Sequence, residues 1–267
     1  MTRPILGDNP FFAISHLSPS KSKEYLADES RWNSAVNVIR GAKELGIDTF
    51  MISSHSETKS LLDAAGYLRP EEQLPEICLV VPNVHDLNAS AASKGIFASV
   101  KNLLSGVFSF RSPGIRGLYQ RSFMGQAVYS RVKYVALHNV IVDLLIGLRA
   151  RLALVIFCRL TRFCGYLPVL LTLNPIALSR LNINCHAVCC YYNKVGYNVC
   201  DNPSEVVESF KQGRHPCEVW AMGILASGVV PYADIEKDDI LRSFDGALVA
   251  STKLERISAM SRCLSNG

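Results

Sequence analysis

Ile77-Cys78-Leu79-Val80-Val81 is apolar at every position until Pro82 ends the run. A strand with one wet face alternates apolar and polar side chains. A run without alternation is buried on both faces, as in a parallel sheet covered by helices. Runs of the same kind recur along the chain, at Pro4-Ile5-Leu6-Gly7 and at 47–52, 132–137, 167–173, 187–192, 217–222 and 247–250. Helical patterns follow most of them. The first enters at Glu29-Ser30-Arg31-Trp32, places Ala35, Val38, Ile39 and Ala42 on one face, and closes at Gly46. Others are expected at 56–65, across much of 143–163, from Pro175, at 203–212, as a turn or two at 238–241, and at 254–264. Eight strand units in a chain of 267 residues close into a ring more naturally than they line an open sheet. The expected fold is a single-domain TIM (β/α)8 barrel over residues 1–267. An open doubly wound sheet is the alternative, but it usually carries a Gly-rich first turn, which this sequence lacks.

One segment exceeds the minimal plan. Residues 105–131, between the third and fourth strands, are rich in Gly, Ser, Arg and aromatics. That is longer than a connecting loop requires. An anion-contacting lid, a partner-binding excursion and a surface hairpin all fit it.

Composition bounds the rest. With 49% hydrophobic and 19% charged residues, a large core is expected and disorder is not. Met1-Thr2-Arg3-Pro4 leads straight into the first strand with no signal-length apolar run, so a cytoplasmic protein is expected. The most apolar stretch, 144–181, is interrupted by Arg149, Arg151, Arg159 and Arg162. It reads as a buried helix and a buried strand rather than a membrane span. The nine cysteines lack paired metal spacing and read as reduced, mostly buried thiols, with Cys189 and Cys190 on opposite faces of a strand.

Charge is unevenly spread. The net charge is +5, yet between Leu87 and Cys200 the only acidic residue is Asp143 against thirteen Lys or Arg. A basic middle favours an anionic partner: a phosphate-bearing cofactor or substrate, a lipid surface, or nucleic acid. No nucleic-acid motif accompanies it. Solvated helix faces account for many of these arginines.

In such barrels functional groups follow the strand ends. Those positions hold Asn9 and His16, then Ser53, Ser54 and His55, then Asn83, His85 and Asp86, then His138 and Asn139. Asn174, residues 191–194, Ser227, and finally Ser251 with Lys253 complete the rim. Four of the six histidines thus follow the first four strands. Imidazole donates and accepts protons near neutral pH and also ligates zinc-like metals, so a metal ion is an alternative use of this cluster. The eighth strand runs into Ser251-Thr252-Lys253-Leu254-Glu255-Arg256. A helix N-terminus with a hydroxyl and an arginine suits phosphate. Plain helix capping by Ser251 or Thr252, with Glu255 as capping-box partner, fits equally.

Several of these stretches together resemble the aldo-keto reductases over most of the chain. Ala42-Lys43-Glu44-Leu45-Gly46-Ile47-Asp48-Thr49-Phe50 is similar to that family's entry into its second strand. Tyr134-Val135-Ala136-Leu137-His138 is similar to the fourth strand, which ends in a catalytic histidine. The resemblance implies that Leu173-Asn174 holds a nicotinamide carboxamide and that Gly223-Ile224-Leu225-Ala226-Ser227-Gly228 lies along a pyrophosphate. Ser251 and Arg256 would face an adenosine 2′-phosphate, making the cofactor NADP. The departures are specific: Met51 stands where the family has its catalytic aspartate. Ser54, His55 and Ser56 stand where it has the proton-donating tyrosine, and Pro82 or Asn83 replaces its lysine. Carbonyl reduction would then need His55 as the acid beside His138.

Three functions follow as expectations. The first is an NADP-dependent oxidoreductase acting on a small carbonyl or hydroxyl compound. The second is a lyase, isomerase or hydrolase using His16, His55, His85 and His138 on an anionic substrate. The third is a binding barrel without chemistry.

Overall fold

The computed structural model describes residues 2–12, 31–54, 57–69, 71–81, 130–199 and 201–265. His16, His55, His85, Asn83, Asp86 and nearly all of the 105–131 excursion lie outside the described residues. Eight parallel strands form a closed ring in chain order. They are β1 (Arg3–Gly7), β2 (Thr49–Ser53), β3 (Glu76–Val81), β4 (Val132–Leu137), β5 (Leu167–Thr172), β6 (Ala187–Tyr191), β7 (Glu218–Met222) and β8 (Gly246–Val249). Pairing of Arg3 with Gly246 through Leu6 with Val249 closes the ring. The barrel is therefore real, and the open sheet is excluded.

The period-two alternation of each strand sorts side chains into two cores. Cys189 faces the barrel interior beside Met51, Cys78 and Trp220, whereas its neighbour Cys190 faces the helices. Trp220 is fully buried, and it is the reason β8 starts with glycine: a Cβ on Gly246 would meet Ile5 at 2.8 Å and the indole at 3.0 Å. Below it, Glu218 accepts from Arg3 at 2.6 Å and from the Trp220 ring nitrogen at 2.7 Å. Bulk and an ion pair thus stopper the N-terminal end.

Between the strands run α1 (Arg31–Glu44), α2 (Thr58–Ala65), α3 (Asn139–Gly147), α4 (Arg151–Phe163), α5 (Pro175–Ser179), α6 (Pro203–Lys211), α7 (Tyr232–Glu236) and α8 (Leu254–Ser265). Three expectations need correction. The single helix over 143–163 is two helices, because Arg149 adopts a left-handed φ of 53°. There Ala150 N–H donates to the Leu145 carbonyl and Arg149 N–H to that of Ile146. This is the helix stop usually signalled by glycine. Nor is the stretch buried throughout: Leu144, Leu148, Leu152 and Phe163 are exposed. The turn expected at 238–241 is instead α7, ending at Glu236, then a short 3-10 turn at Leu241–Ser243.

Candidate functional site at the C-terminal rim

Opposite the stoppered N-terminal end, the loops leaving the strand C-termini share one rim. His138 follows β4 directly. Its amide donates to the Val81 carbonyl at 2.8 Å, so strand pairing extends into the histidine. Tyr134 and Ala136 point into the barrel, and His138 is next in that alternation. It also caps α3: its backbone is extended and its Nδ1 accepts from the Val140 amide at 3.2 Å. An accepting Nδ1 carries no proton, so the neutral ring bears its proton on Nε2.

The end of β5 is held by one carboxylate. Asp143 on α3 accepts from the Thr172 hydroxyl at 2.5 Å and from the Leu173 amide at 3.0 Å. Thr172 in turn accepts from the Asn174 amide at 2.9 Å. Asn174 begins α5, its side chain makes no cap bond, and it is exposed. Its side-chain amide is therefore open to a ligand, while its backbone N–H stays with Thr172. The Ile176 amide donates to Asp201, which ties this turn to the segment after β6.

The loop after β7 is backbone-strained. Ala226, Ser227 and Gly228 follow one another at φ values of 44°, 58° and 94°. For the two non-glycine residues this conformation costs about 1–2 kcal/mol each. Ser227 lies exposed at the centre of the run. Gly223, at φ 72°, starts the loop against Tyr191, whose ring a Cβ there would meet at 2.6 Å.

After β8 Ser251 turns the chain toward α8, whose first amide-accepting carbonyl is that of Lys253. Ser251 is buried, and its Oγ accepts from the Lys253 amide at 3.1 Å just before α8. Among the described residues, no hydrogen bond joins Glu255 to Ser251 or to Thr252, so the expected capping box does not close. Arg256, in the first turn of α8, is exposed and makes no ion pair among the described residues.

One rim residue escaped the sequence reading. Asp8 is buried, and its Oδ2 accepts from the Ser53 amide at 2.7 Å, fastening the end of β1 to that of β2. Burial, and then the Asp8 carboxylate, push the Cys78 thiol well above its ordinary pKa. The signal was present: an acid directly after the apolar run Ile5-Leu6-Gly7. Met51, standing where the resemblance has an aspartate, is buried inside the barrel. Among the described residues, no group of three or more His, Cys, Asp or Glu is arranged to hold a metal. His186 and His215 belong to segments preceding β6 and β7, at the opposite end from the rim.

His138, Asn174, Ser227, Ser251 and Arg256 thus follow strand C-termini around one ring. A structure from Pseudomonas aeruginosa, named a candidate aldo-keto reductase, superposes on 98% of this chain and 89% of its own at 16% identity and a TM-score of 0.58. A second candidate aldo-keto reductase structure from that organism gives 98%, 90%, 16% and 0.55. The chain has the fold of these two proteins. No family model and no curated protein sequence matches it. Likeness at this identity speaks for the barrel, and chemistry must be argued from the site itself.

Proposed function

We propose that this barrel binds NADP at its C-terminal rim and acts as a divergent oxidoreductase on a small carbonyl or hydroxyl compound. The observation that carries the reading is the left-handed run Ala226-Ser227-Gly228. Strain in non-glycine residues persists where the surroundings require that backbone. Within the run the Ala226 and Gly228 amides donate inside the loop, to the carbonyls of Gly223 and Leu225, so what the strained turn offers a phosphate oxygen is the exposed Ser227, through its amide and hydroxyl.

The other donors fit the same group. Asn174 offers both an amide donor and an acceptor to a carboxamide. Arg256 offers a guanidinium to a phosphate at a helix N-terminus. Ser251 contributes mainly by setting where α8 begins, because its hydroxyl already accepts from the Lys253 amide. NADP, when bound, would supply hydride chemistry. The chain's part is to orient the substrate and move a proton. His138 presents its Nε2 proton because Nδ1 is occupied by the Val140 amide, and His55 is the proposed second proton carrier.

Titration with NADPH should raise the melting temperature, as any ligand of the folded state does. R256A should weaken NADPH by about tenfold or more while leaving NADH nearly unchanged, since a charged hydrogen bond to phosphate is lost. No shift at millimolar NADPH removes the reading.

Met51 favours a second reading. A buried thioether has no proton to exchange, so a barrel that binds the nucleotide without turning it over also fits. NADPH binding without consumption across a panel of small aldehydes and ketones would select it.

A further inference from the structure

α3 and α4 carry apolar residues on both their sides. The inner side of α4, with Leu154, Phe157 and Cys158, is buried against the barrel. On the outer side Leu152, Ile156, Arg159 and Phe163 recur at helical spacing. Leu152 is 69% and Phe163 88% exposed. The outer side of α3 adds Val140 and Leu144, one turn apart, and Leu148 follows in the connection. Ten large hydrophobic residues are exposed among the described residues, and five fall in these two consecutive helices and their joint. Scattered exposed leucines are ordinary, whereas a contiguous patch marks an interaction surface.

The charge on this face has one sign. Arg149, Arg151, Arg159 and Arg162 are all exposed, and none pairs with a carboxylate among the described residues. Arg151 rests on the Leu181 carbonyl, and Arg162 on Asn184, both neutral acceptors. Asp143 is the only acid in the two helices, and its carboxylate is taken by Thr172 and Leu173. A second copy of the chain would set these arginines against their own kind across a two-fold axis. The complementary surface is apolar below and negative at its boundary. No helix among the described residues is long and apolar enough to cross a membrane, so a bilayer would be met only at its face. α4, 13 residues long, spans about 20 Å, enough to lie in an interface with its outer side down.

We propose that α3 and α4 dock this chain onto an anionic phospholipid surface. Leu152, Ile156 and Phe163 enter the headgroup–acyl boundary, while Arg149, Arg159 and Arg162 meet lipid phosphates. The proposal does not depend on the cofactor reading.

The test is co-sedimentation of the full chain with phosphatidylcholine–phosphatidylserine vesicles, against pure phosphatidylcholine. Binding should require phosphatidylserine and weaken with added salt. The double variant R159Q/R162Q should lower partitioning by about fivefold per charge. L152S/F163S should lower it by about tenfold or more, with the melting temperature held, since both residues face outward. Absence of phosphatidylserine-dependent sedimentation overturns the proposal. So does wild-type binding by L152S/F163S, or sedimentation equilibrium showing a dimer that L152S/F163S dissociates.

Discussion

The Thr172 hydroxyl donates to the Asp143 carboxylate at 2.5 Å and accepts from the Asn174 amide at 2.9 Å. The one acid of the basic middle thereby fixes, through a single threonine, where α5 begins and where Asn174 stands. Replacing Asp143 by alanine strands the Thr172 hydroxyl and the Leu173 amide. The cost should be about 1–3 kcal/mol in urea unfolding. NADPH affinity should fall with it if Asn174 holds the carboxamide. A D143A protein of unchanged stability would show that this clamp is ornamental.

Gly223 is constrained twice, by a φ of 72° and by the Tyr191 ring 2.6 Å from where a Cβ would sit. G223A must move the ring or the loop, and should destabilise by about 1–3 kcal/mol. Because the loop leads into Ser227, the same substitution should weaken nucleotide binding. Y191A/G223A should recover part of the loop geometry, which a thermal-shift comparison of the two variants would reveal.

Tyr192 donates to both oxygens of the buried Asp238 carboxylate, at 2.7 and 2.9 Å, and Asp238 also accepts from the Leu241 amide at 3.0 Å. Burial first, then the hydrogen bond to Asp238, raise the Tyr192 phenol well above its usual range. Y192F leaves the carboxylate with the backbone donor but without the phenol, at a cost of about 1.5–3 kcal/mol. Chemical denaturation of wild type and Y192F measures it.

His186 lies at the stoppered end, its Nε2 3.8 Å from Glu218 and its ring 5.4 Å from that of Tyr134. Burial lowers its pKa below the ordinary value, with Glu218 opposing and Arg3 assisting. A depressed histidine pKa means that the unfolded chain takes up the proton first as pH falls. Its contribution to stability is complete above about pH 6.5 and is lost as pH drops through the folded-state value. Melting curves from about pH 7.5 down to about pH 5, across the histidine range, should decline less steeply for H186Q than for wild type.

The strands were legible because burial on both faces leaves an unbroken apolar run. Val132–Leu137 was read to the residue, and the others to within one or two. His138 was readable as a strand-end histidine. Its tautomer was not, because that depends on the Val140 amide folding back onto Nδ1. The break between α3 and α4 was missed because the left-handed stop falls on Arg149, where local preference would place glycine or asparagine. The exposed outer face was missed for a related reason. Hydrophobic periodicity shows that a residue is apolar but not whether a neighbour arrives to cover it.

By itself, then, the sequence determined the repeating strand–helix units, the basic middle and the identities of the rim residues, all properties of neighbours along the chain. Only the tertiary structure decided that β1 meets β8, that Asp8 holds Ser53, that Asp143 holds Thr172, and that Leu152 and Phe163 are left uncovered. These depend on groups distant along the chain: the hydroxyl of Thr2 finds its acceptor on Leu241. A hydrogen bond forms wherever closure of the ring delivers a partner, and no local pattern of side chains encodes that arrival.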